Sequence, residues 1–208
     1  MQASVVLLDY GMGNVQSVAN AVEWLGVPVR VSSDARVVEA ASHLILPGVG
    51  SFRDGMQRLR ATALDDLLQD QVLRRGKPFL GICLGMQLMA EVGDEGGETR
   101  GLGWIAARVK KLDATQLGLK VPHMGWNEVC PRQGSVLYDG LLDDPTFYFV
   151  HSYYLAVEEA AVVSGMCEYG SRFCASVEKG HIFGTQFHPE KSQRDGLRVL
   201  KNFVEFAP

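Results

Sequence analysis

The sequence predicts an α/β chain with a mixed, mainly parallel sheet and helices on both faces. Three observations predict it. Short apolar runs alternate with stretches of helical spacing through the first half. Those runs end in glycine-rich turns, where a strand hands over to a crossover helix. The second half is richer in extended segments and closes on a last amphipathic stretch.

Residues 4–9 read as a buried strand ending at Gly11-Met12-Gly13-Asn14. Val15, Val18, Ala19, Val22 and Leu25 then recur at helical spacing, and Gly26 stops that helix. Residues 27–31 and 43–46 read as the second and third strands, the third running into Pro47-Gly48-Val49-Gly50. Leu64, Leu67, Leu68 and Val72 mark a helix closed by Arg74, Arg75 and Gly76. Residues 78–83 form a strand, 84–92 read as the helix after it, and 94–100 as a polar, glycine-rich loop. Segments 104–110, 146–154, 162–166, 175–179 and 182–187 read as extended, with Gly180 turning a hairpin. Leu197, Leu200, Phe203 and Val204 form one face of a closing helix. No repeat or linker interrupts the pattern, so residues 1–208 are expected to form a single domain.

A net charge of -4 argues against a general nucleic-acid binder, whose surface is basic. The apolar runs fall far short of the ~20 residues that span a bilayer, so no membrane segment is expected. Met1-Gln2-Ala3-Ser4 lacks the basic start of a secretory signal, which points to a cytoplasmic protein with reduced thiols. Cys83, Cys130, Cys167 and Cys174 include no CxxC pair, and no HExxH occurs, so no metal site is expected. Cys130, Cys167 and Cys174 read as small hydrophobes.

Cys83 is set apart by its context. Gly81-Ile82-Cys83-Leu84-Gly85 fits the glycine-flanked pattern of a sharp strand-to-helix turn that exposes a nucleophile. The positive end of the following helix favours thiolate over thiol. A cysteine nucleophile needs a histidine base held by a third group. Among His43, His123, His151, His181 and His188, the last stands out in His188-Pro189-Glu190. In an extended segment, residues two apart share a side, so Glu190 can hold one ring nitrogen while the other faces sulfur. Gly48, Val49 and Gly50 follow a sheet strand and can turn peptide N–H groups toward a reacting carbonyl. The Leu84 N–H is the second donor of such an oxyanion hole. Taken singly, each motif has a bland alternative: a buried cysteine at a turn, an incidental acid, an ordinary loop. A non-catalytic module cradling a phosphate or flavin at Gly11-Met12-Gly13 is a rival, though that segment lacks GxGxxG.

GICLGMQ, HPEKSQ and PGVGSF together resemble the class I, triad-type glutamine amidotransferases. DYGMGNVQSV, PHMGWNEV and FVHSYY narrow the resemblance to the glutaminase subunits of histidine biosynthesis, and it runs essentially end to end. The resemblance implies a flavodoxin-like class I amidotransferase fold, a Cys83, His188, Glu190 triad, and no cofactor. It implies glutamine as substrate, with Gln87, Glu95, Ser152 and Tyr153 binding it. It also implies a heterodimer with a (β/α)8-barrel cyclase subunit, which uses the ammonia to convert PRFAR to imidazole glycerol phosphate and AICAR. Such a barrel takes ~250 residues and would be a separate polypeptide. Asn14, His123, Met124, Trp126, Asn127, Tyr138 and Lys191 match positions at or near that contact. The family further implies that the glutaminase is nearly idle until cyclase ligand shifts the Gly48–Gly50 segment. A class I glutaminase serving another synthase would carry the same triad; PHMGWN and Lys191 favour the histidine pathway.

Overall fold

The computed structural model describes residues 3–113, 118–142 and 144–207, so the Met1-Gln2 start lies outside it. The first half alternates as expected: β1 (Val5–Leu8), α1 (Val15–Trp24), β2 (Val29–Ser32), α2 (Ala35–Ala40), β3 (His43–Gly48), α3 (Phe52–Ala61), α4 (Leu64–Leu68), β4 (Phe79–Cys83) and α5 (Leu84–Gln87). The second half comprises β5 (Ala90–Gly93), β6 (Thr99–Arg100), β7 (Ile105–Lys111), β8 (His123–Pro131), β9 (Thr146–His151), β10 (Tyr153–Val157), β11 (Val163–Tyr169), β12 (Ser171–Lys179), β13 (Ile182–Thr185) and α6 (Gln193–Glu205).

The strand order is β2-β1-β3-β4-β13-β12-β10-β7-β5-β6, with β11 joining β12 to β8 and β8 pairing with β9. Strands β2, β1, β3, β4 and β13 run parallel. From β12 to β7 the pairing is antiparallel. Every residue of β1, β3 and β4 is buried, as expected of strands covered on both faces. Alternation assigns each side chain to a face. Val6, Leu8, Leu44 and Leu46 join Val38, Phe52, Leu59 and Leu64 from α2, α3 and α4. Val5, Leu7, Ile45 and Leu80 join Val18 and Val22 of α1 and Leu200 and Phe203 of α6. Each fully buried Leu or Phe is worth roughly 1.5–3 kcal/mol, so two such layers hold the parallel edge rigidly.

Four local expectations are corrected. The helix read over 84–92 is a single turn, α5, after which the chain becomes β5. The apolar residues after Gln87 suit either state, and β7 offers a parallel edge that captures them. The loop at 94–100 holds the short strand β6, paired to β5. Segment 146–154 is two strands, β9 and β10. At Ser152 the chain leaves β8 for β7, and the Ser152 carbonyl accepts the Leu112 N–H at 2.8 Å. Beyond α4 the expected helix widens into a π-type turn over Gln69–Arg74. Helices α2 and α3 and strand β8 are additional to the elements expected from sequence. In α3, Ser51 caps the helix by accepting the Asp54 N–H at 3.1 Å.

Candidate active site

Strand β4 delivers Cys83 to the carboxyl edge of the sheet. Its φ of 54° and ψ of -108° lie in a region L-residues rarely adopt. The flanking glycines make that turn possible. A Cβ on Gly81 would lie 2.5 Å from Gly85 O, and one on Gly85 would collide with Leu46 O, a backbone atom that cannot swing aside. Gly85→Ala is therefore expected to destabilise the fold by about 3 kcal/mol, the upper range for overpacking. Denaturant unfolding checks this; an unchanged midpoint would remove the steric reason for the motif.

Strand β13 runs parallel to β4 with Thr185 opposite Ile82, so the residues following both emerge side by side. His188 Nδ1 lies 2.8 Å from Glu190 Oε1, with their side chains 4% and 2% exposed. The segment between them is not extended, as expected from sequence, but a tight 3-10 turn over Pro189–Lys191. Three bonds clamp that turn. The His188 N–H donates to Tyr148 O (2.9 Å), the Ser192 hydroxyl donates to His188 O (2.6 Å), and the Tyr148 N–H donates to Ser192 Oγ (2.9 Å). His188 Nε2 is buried with no hydrogen-bond partner at ordinary distance. Cys83 and Glu190 are the groups that act electrostatically on this ring. Burial alone pushes the His188 pKa down. Cys83 on one side and Glu190 on the other outweigh that and hold it at about 10. The protonated ring is thus favoured beside the Glu190 carboxylate.

The sulfur opens on a cavity of about 300 Å³. Val49, Gly50 and Leu84 line it beside Cys83, and Gln87, Glu95, Ser152 and Tyr153 line the rest. Gly48 lies behind, buried at the end of β3 and opposite Cys83 in the sheet. Gln87 is buried. Its Nε2 donates to Tyr153 O and to Gln186 Oε1, both at 2.9 Å, which leaves Oε1 to meet a ligand. Glu95 Oε2 accepts the Phe52 N–H at 2.7 Å, leaving its other oxygen for a cation. Gln186 is a further residue of the site, outside the motifs that mark the others. It is fully buried, and its Nε2 donates to Cys83 Sγ at 3.6 Å. Its place two residues before His188, in Gln186-Phe187-His188, was the available signal.

His151 also lines the cavity, and its tautomer follows from its bonds. Nδ1 donates to Tyr153 O at 2.8 Å, so Nε2 accepts, and His123 Nδ1 donates to it at 3.0 Å. Both rings are neutral; burial lowers each pKa to about 4. These rings take up protons near 6.5 when unfolded, so stability falls as pH drops from about 6.5 to about 4. For the well-buried His151 the loss is at most about 3 kcal/mol. His123→Phe keeps the stacking on Phe149 and Tyr169 but deletes one titrating ring. It should flatten the dependence of the denaturant midpoint on pH between 7 and 4.5; an identical slope would refute the assignment.

The residues expected at the contact with a partner divide by exposure. Met124 and Trp126 are 63% and 48% exposed. Asn14 and Lys191 are exposed, and Asn127 is half-buried and donates to Glu168 O at 2.9 Å. Trp126 pairs edge-on with Tyr148, over whose ring Lys191 Nζ sits at 5.8 Å. His123 and Tyr138 are corrections. His123 points inward from β8 to His151, and the Tyr138 hydroxyl lies 2.7 Å from Ser176 Oγ in the core. At 2% and 6% exposure they offer a partner almost no surface.

A buried cysteine, histidine and glutamate gathered beside a cavity at the carboxyl ends of parallel strands is the arrangement of an α/β enzyme site suited to a cysteine nucleophile. Residues 6–206 match the family model "Glutamine amidotransferase class-I", and the chain belongs to that family. A relative from Moorella thermoacetica, "Imidazole glycerol phosphate synthase subunit HisH", is 50% identical over 98% of this chain and 95% of its own. A second, "Imidazole glycerol phosphate synthase subunit HisH 2" from Pseudomonas aeruginosa, is 43% identical over 98% and 100%. Among solved structures, a putative GMP synthase protein from Thermoplasma acidophilum superposes with a TM-score of 0.74 at 19% identity, covering 98% of this chain and 93% of that one. PurLQS from Thermotoga maritima gives 0.75 at 18% identity, covering 98% of each chain. These structures share the fold.

Proposed function

We propose that this chain is the glutaminase subunit of an imidazole glycerol phosphate synthase in histidine biosynthesis. The observation that carries the proposal is the buried His188–Glu190 pair set against Cys83, at the mouth of a cavity sized for an amino acid. Cys83 sulfur attacks the side-chain amide carbon of glutamine. The carbonyl oxygen becomes an oxyanion met by N–H groups of Leu84 and the Gly48–Gly50 loop. His188 hands its proton to the departing nitrogen, and ammonia leaves with a γ-glutamyl thioester on Cys83. His188 then takes a proton from water, which attacks the thioester; glutamate leaves and the sulfur is restored. Glu190 holds the ring in register throughout and stabilises its positive form. The Gln87 Oε1 and the free Glu95 oxygen bind the substrate amide and α-ammonium, and the backbone at Ser152 and Tyr153 binds its carboxylate.

The ammonia goes to a (β/α)8-barrel cyclase subunit in a heterodimer, which uses it on PRFAR. The exposed Met124, Trp126 and Lys191 suit that contact. Trp126→Ala is expected to weaken the partner's binding about 10- to 100-fold, as for an aromatic anchor. Titration of the two subunits measures this, and an unchanged Kd would move the contact elsewhere. The function is tested by glutamate release from this chain alone, then with the cyclase and its nucleotide. A low rate that rises with partner and nucleotide supports the pathway and its allosteric control. A high rate indifferent to them keeps the triad and rejects the pathway.

A further inference from the structure

Tyr10 follows β1 and is 2% exposed, yet its hydroxyl has no hydrogen-bond partner. Buried hydroxyls normally have one. The surroundings show where this one is aimed. A Cβ on Gly48 would overlap Tyr10 Oη, so the hydroxyl lies directly against the Gly48 Cα. That Cβ position on Gly48 would also lie 2.9 Å from Leu84 Cβ and 3.2 Å from the Gly85 nitrogen, where the elbow helix starts. Cys83 stands opposite Gly48 across the β3–β4 pair. Burial first, then the charge of Cys83, pushes the Tyr10 pKa up, so the hydroxyl keeps its proton and remains a donor.

Peptide geometry supplies the partner. In a trans peptide the N–H and the preceding C=O point in opposite directions. When the Val49 N–H faces an oxyanion beside Cys83, the Gly48 carbonyl must face the other way, into the interior. A carbonyl turned into the interior needs a donor. We propose that the Tyr10 hydroxyl donates to the Gly48 carbonyl when the Gly48–Val49 peptide presents its N–H to the substrate, and so holds the oxyanion loop in its reacting orientation. Tyr10 is then a positioning residue. It does not touch the substrate; it satisfies the back of the peptide whose front does. The proposal rests on the glutaminase reading above and deepens it.

The test is Tyr10→Phe, measured in the complex with the cyclase and its nucleotide. Losing an oxyanion donor outright lowers kcat ~10²–10³-fold; support from one peptide behind should be worth about tenfold. The expected result is a tenfold lower kcat for glutamate release with KM for glutamine within twofold of wild type. The melting temperature should hold or rise, because the deleted hydroxyl has no partner in the resting fold. Alkylation of Cys83 by iodoacetamide, which needs no oxyanion hole, should keep its rate. An unchanged kcat overturns the proposal. A fall in kcat matched by a lower melting temperature or slower alkylation also overturns it, since Tyr10 would then serve packing or the nucleophile. If the wild-type complex releases no glutamate, the glutaminase reading fails and this proposal with it. If the wild type is active and Tyr10→Phe equals it, only this proposal fails.

Discussion

Cys83→Ala is expected to reduce glutamate release at least ~10⁴-fold, to the level of an enzyme without its nucleophile. Among the described residues that line the cavity, Cys83 carries the one thiol. Ser152 lines the pocket, but the imidazole placed to take a proton interacts with Cys83. The fold should tolerate the change. Alanine keeps the Cβ already accommodated at φ 54°, and the deleted sulfur gives only long contacts, to Val150 O at 4.0 Å and Gln186 Nε2 at 3.6 Å. Stability should move by less than about 1.5 kcal/mol, as for a small volume change. Affinity for the cyclase should be unaltered. The assay is glutamate formation under saturating glutamine with partner and nucleotide, with circular dichroism and a binding titration alongside. Residual turnover above one part in a hundred would reject Cys83 as the nucleophile.

Glu190→Gln is expected to lower kcat about 10²–10³-fold while KM changes little, a milder loss because the carboxylate orients and charges the ring without reacting. The pair also has a pH signature. His188 titrates at about 10 in the fold against ~6.5 unfolded, so the fold binds the proton more tightly. The stabilisation is complete below about 6.5 and is lost as pH rises through about 10. Without the Glu190 charge, burial acts with less opposition and the ring titrates lower. The stability difference between wild type and Glu190→Gln should therefore be largest near pH 6 and shrink toward pH 10. Denaturant midpoints at pH 6, 8 and 10 measure it. A difference that ignores pH would mean the two side chains share no charge.

The site was legible in sequence to the extent that local rules force it. Gly81 and Gly85 announce a turn in which backbones pass at contact, and a Cβ on Gly85 would strike Leu46 O. Glu190 lies near enough in sequence to His188 that a short turn brings their side chains together. Resemblance supplied Gln87, Glu95, Ser152 and Tyr153, and all four line the cavity. No local pattern assigns Gln186, His151 or Tyr10 a role, because what they do depends on neighbours distant in the chain. Gln186 meets Cys83 across 103 positions, and His151 meets His123 across 28.

By itself, then, the sequence determined the parallel half of the sheet and the tight elbow at Cys83, and it singled out His188 and Glu190 as the pair expected to serve that sulfur. These are consequences of short-range sterics and of the apolar period of each strand, both written within a few residues. Only the tertiary structure decided that α5 stops after one turn so that β5 can pair with β7, since residues 90–93 suit either state until an edge is offered. It alone placed His123 and Tyr138 inside while leaving Met124 and Trp126 outside. Alternation along β8 separates His123 from Met124 and Trp126, but which face is covered depends on β9, β11 and the aromatic core they close. Burial is a property of the assembled layers, and so are the pKa shifts that follow from it.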